Sequence, residues 1–218
     1  DPQLILLLAE IYIVHKQNDK AISMLSSYVK SNPEKGDIAL RLAELLLKVK
    51  RYAEANDVLQ AIPPNTVTEE GPEAGAVKLR STPFYQYAKA RALLGMGQTD
   101  QAEALLRSAI KEEPEFIEAW AELAFLLEKN GRLAEALELY QSMLDLDREN
   151  TSIWLRIVNI NLKLNQVQRA YNTVQQGPPE LSFLMSAGTL FMNEKLYPQA
   201  ESIFLKLVQL PSAPDEAF

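Results

Sequence analysis

Cysteine is absent from the 218 residues, and histidine occurs once, at His15. Without cysteine there is no disulfide framework and no thiolate metal site, and one imidazole cannot make a His-x-x-x-His zinc motif. A Ser-His-Asp arrangement would have to use His15, near the end of a helix, with no partner pattern around it. Positive charge is also short: 22 Lys and Arg against 29 Asp and Glu leave a net charge of −7. Phosphate neutralisation needs a surplus of basic residues on one face, so nucleic acid is not an expected partner. The densest apolar run, "LILLLAEIYIV" from Leu4 to Val14, is too short to span a bilayer and contains Glu10. No targeting segment is visible, and a start on Asp1-Pro2 without methionine is compatible with a processed or trimmed product. No Gly-rich phosphate loop precedes a helix; "LGMGQTD" serves as a turn. Carboxylate pairs such as Glu112-Glu113 sit at the ends of periodic segments, where they are solvated turns rather than acid/base dyads. An enzyme is not expected, and neither is a cofactor.

What is present is ordinary in composition and unusual in order. Hydrophobic residues make up 47% and charged residues 23%, enough to bury an ample core. Length alone permits one or two domains. Alanine recurs inside look-alike segments at Ala21, Ala55, Ala102, Ala136, Ala170 and Ala200, with gaps of 34, 47, 34, 34 and 30. The clearest copy is "IEAWAELAFLLEKNGRLAEALELYQSMLDLDREN", Ile117 to Asn150. Both halves have helical periodicity, and Asn130-Gly131 breaks them where a left-handed residue ends a helix. Gly97 and Asn165 stand at the same break in other copies. The recurring alanine marks a close helix crossing, where a larger side chain overpacks at about 1–3 kcal/mol. Pro33 and Pro114 follow second helices and stop them.

A 34-residue period with Trp120, Leu123, Ala124, Leu127, Gly131, Ala136, Tyr140 and Leu144 in their slots resembles the tetratricopeptide repeat family. The resemblance covers essentially the whole chain, in six copies. It implies an all-α fold, an α-solenoid of antiparallel helix pairs wound into a right-handed superhelix as one domain. Repeats are expected at about 2–35, 36–62, 83–116, 117–150, 151–180 and 181–212. The helix pairs are expected at Pro2–Lys30, Asp37–Ile62, Pro83–Glu112, Phe116–Leu146, Ser152–Gln176 and Leu181–Leu210. The fifth and sixth copies are degenerate: Asn161 occupies a slot that usually buries Tyr or Leu, and Gly177-Pro178-Pro179 points to a tightened turn.

The stretch at 63–82 is an insertion, 13 residues beyond the period, between two ordinary interior repeats rather than a domain boundary. "EAGAVKLRS" can add a helical turn before Ser81 or Thr82 caps the next helix and Pro83 starts it. The insertion either lines the entrance of a groove near Phe84 and Tyr87 or is tolerated excess. Deleting Thr66 to Leu79 is expected to leave the fold intact.

In this family the first helices line a concave groove. The position one residue after the Trp120 slot reads Leu6, Leu40, Tyr87, Ala121, Leu155 and Met185; the position four further on reads Glu10, Glu44, Arg91, Phe125, Asn159 and Thr189. Arg41, Lys48, Phe84 and Arg156 flank them. Aromatic anchors beside arginine have the composition of binding hot spots. The resemblance therefore implies a groove that grips a peptide or partner protein, centred on Phe84, Tyr87, Arg91 and Phe125. Arg41, Glu44, Arg156, Asn159 and Met185 complete the candidate set. The alternative is that these apolar residues fill the inside of the superhelix. The carboxylate clamp by which some relatives hold chaperone tails is absent, because Leu6, Glu10, Leu40 and Glu44 stand in its slots. The acidic balance and the Ala136-type packing argue against the RNA binding of pentatricopeptide relatives.

Both terminal helices, "LILLLAEIYIV" and "SIFLKLVQL", are apolar around much of their circumference. Such helices expect cover, from further repeats, from pairing between subunits, or from Pro211 to Phe218 folding back as a lid. Two function classes follow: an interaction scaffold that binds in the groove, and a spacer segment of a longer protein, such as a bacterial envelope-assembly or secretion component. The lack of cysteine suits an oxidising compartment, with a lean to a bacterial periplasm or envelope over the cytoplasm.

Overall fold

The computed structural model describes residues 1–68 and 77–208. The fold-back lid expected from Pro211 to Phe218 and the tip of the insertion lie outside the described residues. The described residues hold twelve α-helices: α1 (Pro2–Val14), α2 (Asn18–Ser31), α3 (Gly36–Lys48), α4 (Tyr52–Ala61), α5 (Pro83–Gly95), α6 (Thr99–Glu112), α7 (Ile117–Lys129), α8 (Leu133–Leu146), α9 (Thr151–Lys163), α10 (Val167–Gln176), α11 (Leu181–Asn193) and α12 (Tyr197–Val208). The fold class is all-α, built of helix pairs, as the family resemblance implies. The chain divides into two compact units, Asp1–Leu123 and Ala124–Phe218, and the division falls within α7.

Starts and stops follow the local chemistry. Asp1 caps α1 by accepting from the Gln3 N–H at 3.0 Å, and Pro2 occupies the first turn, where its missing donor is no loss. Thr82 caps α5 in the same way, its hydroxyl accepting from the Tyr85 N–H at 3.3 Å ahead of Pro83. Within each helix pair the chain reverses through one left-handed residue. Gly97, Gly131 and Asn165 take φ of 78°, 77° and 58°, as the sequence predicts. Lys16, Lys50 and Lys195 do the same at 58°, 63° and 60°, against side-chain preference. All six stand five residues before a repeat alanine. The reversal is therefore a property of the pairing, and only some copies meet it with glycine or asparagine.

Packing explains the alanines. Ala21, Ala55, Ala102, Ala136, Ala170 and Ala200 are all buried. Twelve residues earlier, on each first helix, stand Ala9, Ala43, Ala90, Ala124, Val158 and Gly188, buried as well. Small residues on both helices let five of the pairs cross closely, and the fifth copy carries Val158 on its first helix. At Gly188 the approach is so tight that a Cβ would lie 2.5 Å from the Phe204 ring of α12. In the first unit the core runs through Ile22, Leu25, Ile38, Leu42, Leu46 and Leu59; in the second it runs through Val158, Val174, Phe183, Phe191 and Ile203.

The insertion holds the expected helical turn and more, and its base argues against one expectation. It contains a short antiparallel strand pair, β1 (Val67–Thr68) and β2 (Val77–Lys78), followed by a 3-10 turn at Leu79–Ser81. Only the helical turn was predicted from "EAGAVKLRS". Strands of two residues carry no readable alternation. The base of the insertion is also part of the core. Leu79 is buried, and a Cβ on Gly36 at the start of α3 would lie 2.5 Å from the Leu79 side chain and 2.7 Å from that of Thr66. Deleting Thr66 to Leu79 therefore removes a core side chain, and the fold is not expected to tolerate it.

The α4–α5 interface beside the insertion is polar. Tyr85 donates its hydroxyl to the Leu59 carbonyl at 3.0 Å, and Lys89 donates to Asn56 Oδ1 at 2.6 Å. Arg80 donates to the carbonyls of Gln60, at 2.6 Å, and Ile62. Arg80 thus sits at the C-terminal end of α4, where the helix dipole favours positive charge, while Lys89 reaches the middle of the helix.

Candidate functional site

In the first unit the candidate residues form two groupings. Arg41 and Glu44 on α3 pair at 2.9 Å, and Arg41 reaches Glu10 of α1 at 3.3 Å. Hydrogen bonding to Glu44 comes first among the causes that raise the Arg41 pKa. Arg41 and Glu44 share a cleft of 330 Å³ with Ile13, Leu45, Lys48 and Arg91. Arg91 lies over the Tyr87 ring, 5.6 Å from its centroid. Tyr87 packs edge-on against Phe116 at 5.1 Å, and burial pushes its hydroxyl pKa up. Phe84, on the same helix, is 40% exposed.

Phe116 is not among the residues that the repeat register selects. It precedes α7 and lies outside the helical register that selects groove positions. Its only sequence signal is an aromatic residue just before a helix, where a side chain can pack over the first turn. Leu40, in the same slot as Tyr87 one repeat earlier, is buried in the core. At that position the alternative holds, and the apolar side chain is packing.

In the second unit Arg156, Asn159 and Met185 line a cleft of 660 Å³ with Leu155, Thr189 and Leu190. Met185 is 49% exposed, and Phe125 of α7 is 50% exposed. Arg156 is held by Glu128 of α7 at 3.3 Å, and Lys163 shares that carboxylate at 2.9 Å. The two tryptophans have a repeated role. Trp120 donates its indole N–H to the Pro114 carbonyl at 2.9 Å, and Trp154 donates to the Arg148 carbonyl at 2.8 Å. Each pins the turn before its helix.

His15 ends α1, exposed. No helix of the described residues is long and apolar enough to cross a membrane.

The tetratricopeptide repeat pattern matches residues 15–78, 87–151 and 127–182. The chain belongs to the tetratricopeptide repeat family. Among curated proteins it is similar to cellulose synthase operon protein C of Pseudomonas fluorescens (strain SBW25), 24% identical over 219 residues. That match covers 97% of this chain and 17% of the relative, so the chain spans about a sixth of that protein's length. Among solved structures it is similar to PilF of Pseudomonas aeruginosa, with a TM-score of 0.65 at 16% identity, covering 96% of this chain and 91% of that one. It is also similar to YrrB, described as a tetratricopeptide protein with an unusual peptide-binding site, with a TM-score of 0.59 at 15% identity, covering 88% and 93%. At these identities the structural likeness speaks for the fold.

Proposed function

We propose that the chain is a non-catalytic protein-interaction scaffold whose first-helix faces hold a peptide or partner protein. The observation that carries this reading is the exposure of large apolar side chains at groove positions. Phe84, Phe125 and Met185 are all at least 40% exposed at positions where a merely solvated face would carry Lys, Glu or Gln. The other candidate positions carry Tyr87, Arg91, Arg41 and Glu44 in the first unit and Arg156 and Asn159 in the second, a mixture of aromatic, cationic and hydrogen-bonding groups suited to hot spots. The family and the peptide-binding site named for YrrB support a peptide or protein as partner. The charge of −7 argues for a protein partner over nucleic acid.

The test is a random peptide display library selected on the chain. Peptides are expected to bind saturably and to lose at least tenfold in affinity against the Tyr87→Ala/Phe125→Ala double variant. Selected peptides that bind wild type and variant equally would sink the groove.

A second reading is a spacer within a longer envelope-assembly or secretion protein. It is favoured by the similarity of 97% of this chain to a small part of cellulose synthase operon protein C. It places the chain in a bacterial envelope and predicts an indifferent groove. In both readings the apolar terminal helices supply a further contact surface, for self-association or for further repeats.

A further inference from the structure

Building on the groove reading, we propose that the cleft between α3 and α5 takes an aspartate or glutamate side chain of the bound peptide, held by Lys48 and Arg91. The cleft, of 330 Å³, is lined by Ile13, Arg41, Glu44, Leu45, Lys48 and Arg91, three cations against one carboxylate in a chain of net charge −7. Its own carboxylate is already engaged: Arg41 holds Glu44 at 2.9 Å and reaches Glu10 at 3.3 Å. Lys48 and Arg91 have no carboxylate partner among the described residues. For Arg91 this breaks a pattern. Of the nine arginines, six pair with a carboxylate, and Arg80 and Arg169 donate to carbonyl oxygens. Arg91 instead lies over the Tyr87 ring, 5.6 Å from its centroid, which leaves its charge uncompensated. Glu118 and Glu122 of α7 act electrostatically on Tyr87, and neither forms an ion pair with Arg91.

A carboxylate brought by a partner complements this cleft. Two unpaired like charges on one cleft repel, and an anion shared by them removes the repulsion. Arg91 stands in the groove slot four residues beyond Tyr87, so the anion belongs to a chain lying on the groove face. The lining carries no amide or hydroxyl side chain to hold the backbone beside a terminal carboxylate. It carries Ile13 and Leu45, apolar surface for the methylenes of an acidic side chain. The slots of the chaperone-tail clamp on α1 and α3 hold Leu6, Glu10, Leu40 and Glu44, which supply no cation, and Lys48 lies outside them. The carboxylate is therefore that of a side chain and not of a chain end.

The test uses the peptides selected from the display library. Each is resynthesised with its Asp or Glu changed to Asn or Gln, and separately with a C-terminal amide. Selected peptides are expected to be enriched in Asp and Glu over the unselected library. Neutralising the acidic side chain is expected to lower affinity about tenfold on the wild-type chain and to change nothing on the Lys48→Met/Arg91→Met variant. Amidation of the peptide end is expected to leave affinity unchanged on both. Lys48→Glu, at an exposed position, is expected to bind a peptide with lysine in place of the acid better than the original. Peptides that depend on Tyr87 and Phe125 but show no acidic enrichment, or that bind Lys48→Met/Arg91→Met as tightly as wild type, would overturn the proposal and leave the groove standing. Loss of affinity on amidation would overturn it in favour of a chain end. Peptides indifferent to Tyr87→Ala/Phe125→Ala and to Lys48→Met/Arg91→Met alike, or a library that yields no saturable binder, would sink the groove and this proposal together.

Discussion

Lys89 of α5 donates to Asn56 of α4 at 2.6 Å, in slots that the first unit's other stacked interface fills with Leu42 and Ile22. Asn56 is buried, and burial is the leading cause that lowers the Lys89 pKa. The pair replaces an apolar contact at the interface that the insertion enlarges. Removing one partner of a buried hydrogen bond exposes the desolvation penalty of the other, about 1–3 kcal/mol, whereas replacing both with apolar groups is near neutral. Lys89→Leu is therefore expected to destabilise by about 1–3 kcal/mol, and Asn56→Ile/Lys89→Leu to recover most of the loss. Urea unfolding of the two single variants and the double variant measures the coupling. Additive losses would show that the two side chains act independently.

The six left-handed turn residues give a second prediction. A non-glycine residue in that conformation costs about 1–2 kcal/mol. Glycine relieves it but adds about 0.5–1 kcal/mol of unfolded-chain entropy. Lys50→Gly and Lys195→Gly are thus expected to stabilise by about 0.5–1 kcal/mol. Gly131→Ala is expected to destabilise by about the same amount, and nothing within 4 Å of the added Cβ offers a steric alternative. Urea midpoints of the three variants give the signs.

How far the sequence reaches is visible at these turns. Gly97, Gly131 and Asn165 could be assigned because their chemistry announces the conformation. Lys16, Lys50 and Lys195 could not, because lysine carries no such signal and tertiary pairing imposes the turn. The alanine period exposed the fold class for a similar reason: a close crossing admits few side chains, so it leaves a mark in every copy. The strand pair of the insertion left no mark, since two-residue strands have no period. Groove positions came from register alone, which placed Arg41 with Glu44 and Arg156 with Asn159. It did not reveal that Phe116 packs on Tyr87, or that Leu40 is core.

Asn161 marks where a copy departs from its slot. Leu46, Leu93 and Leu127 occupy the equivalent positions and are buried. Asn161 is buried too; its Nδ2 donates to the Ile157 carbonyl at 2.9 Å, and its Oδ1 has no hydrogen-bond partner. An unsatisfied buried acceptor costs about 1–3 kcal/mol. Asn161→Leu is expected to stabilise by about 1 kcal/mol, read as a rise in the thermal midpoint. A fall would mean that the amide bond to Ile157 outweighs the unsatisfied oxygen.

Three of the eight tyrosines should titrate late. Burial is the first cause of a raised pKa for Tyr85, Tyr87 and Tyr140. Nearby arginines pull each pKa back down without cancelling the burial effect. An ordinary tyrosine ionises near 10. Because the folded pKa lies above the unfolded one, the native state binds more protons in the window between them, and stability falls as pH rises there. The contribution is complete below about pH 10 and is lost as pH climbs through the folded values. Absorbance at the tyrosinate band should therefore show a late component from these three, coinciding with loss of helical circular dichroism. Tyr85→Phe should reduce the later phase by about a third and weaken the alkaline dependence of the urea midpoint, since Tyr85 needs its proton to donate to Leu59. Absence of a late component, or a late component unchanged in Tyr85→Phe, would contradict the burial of these three.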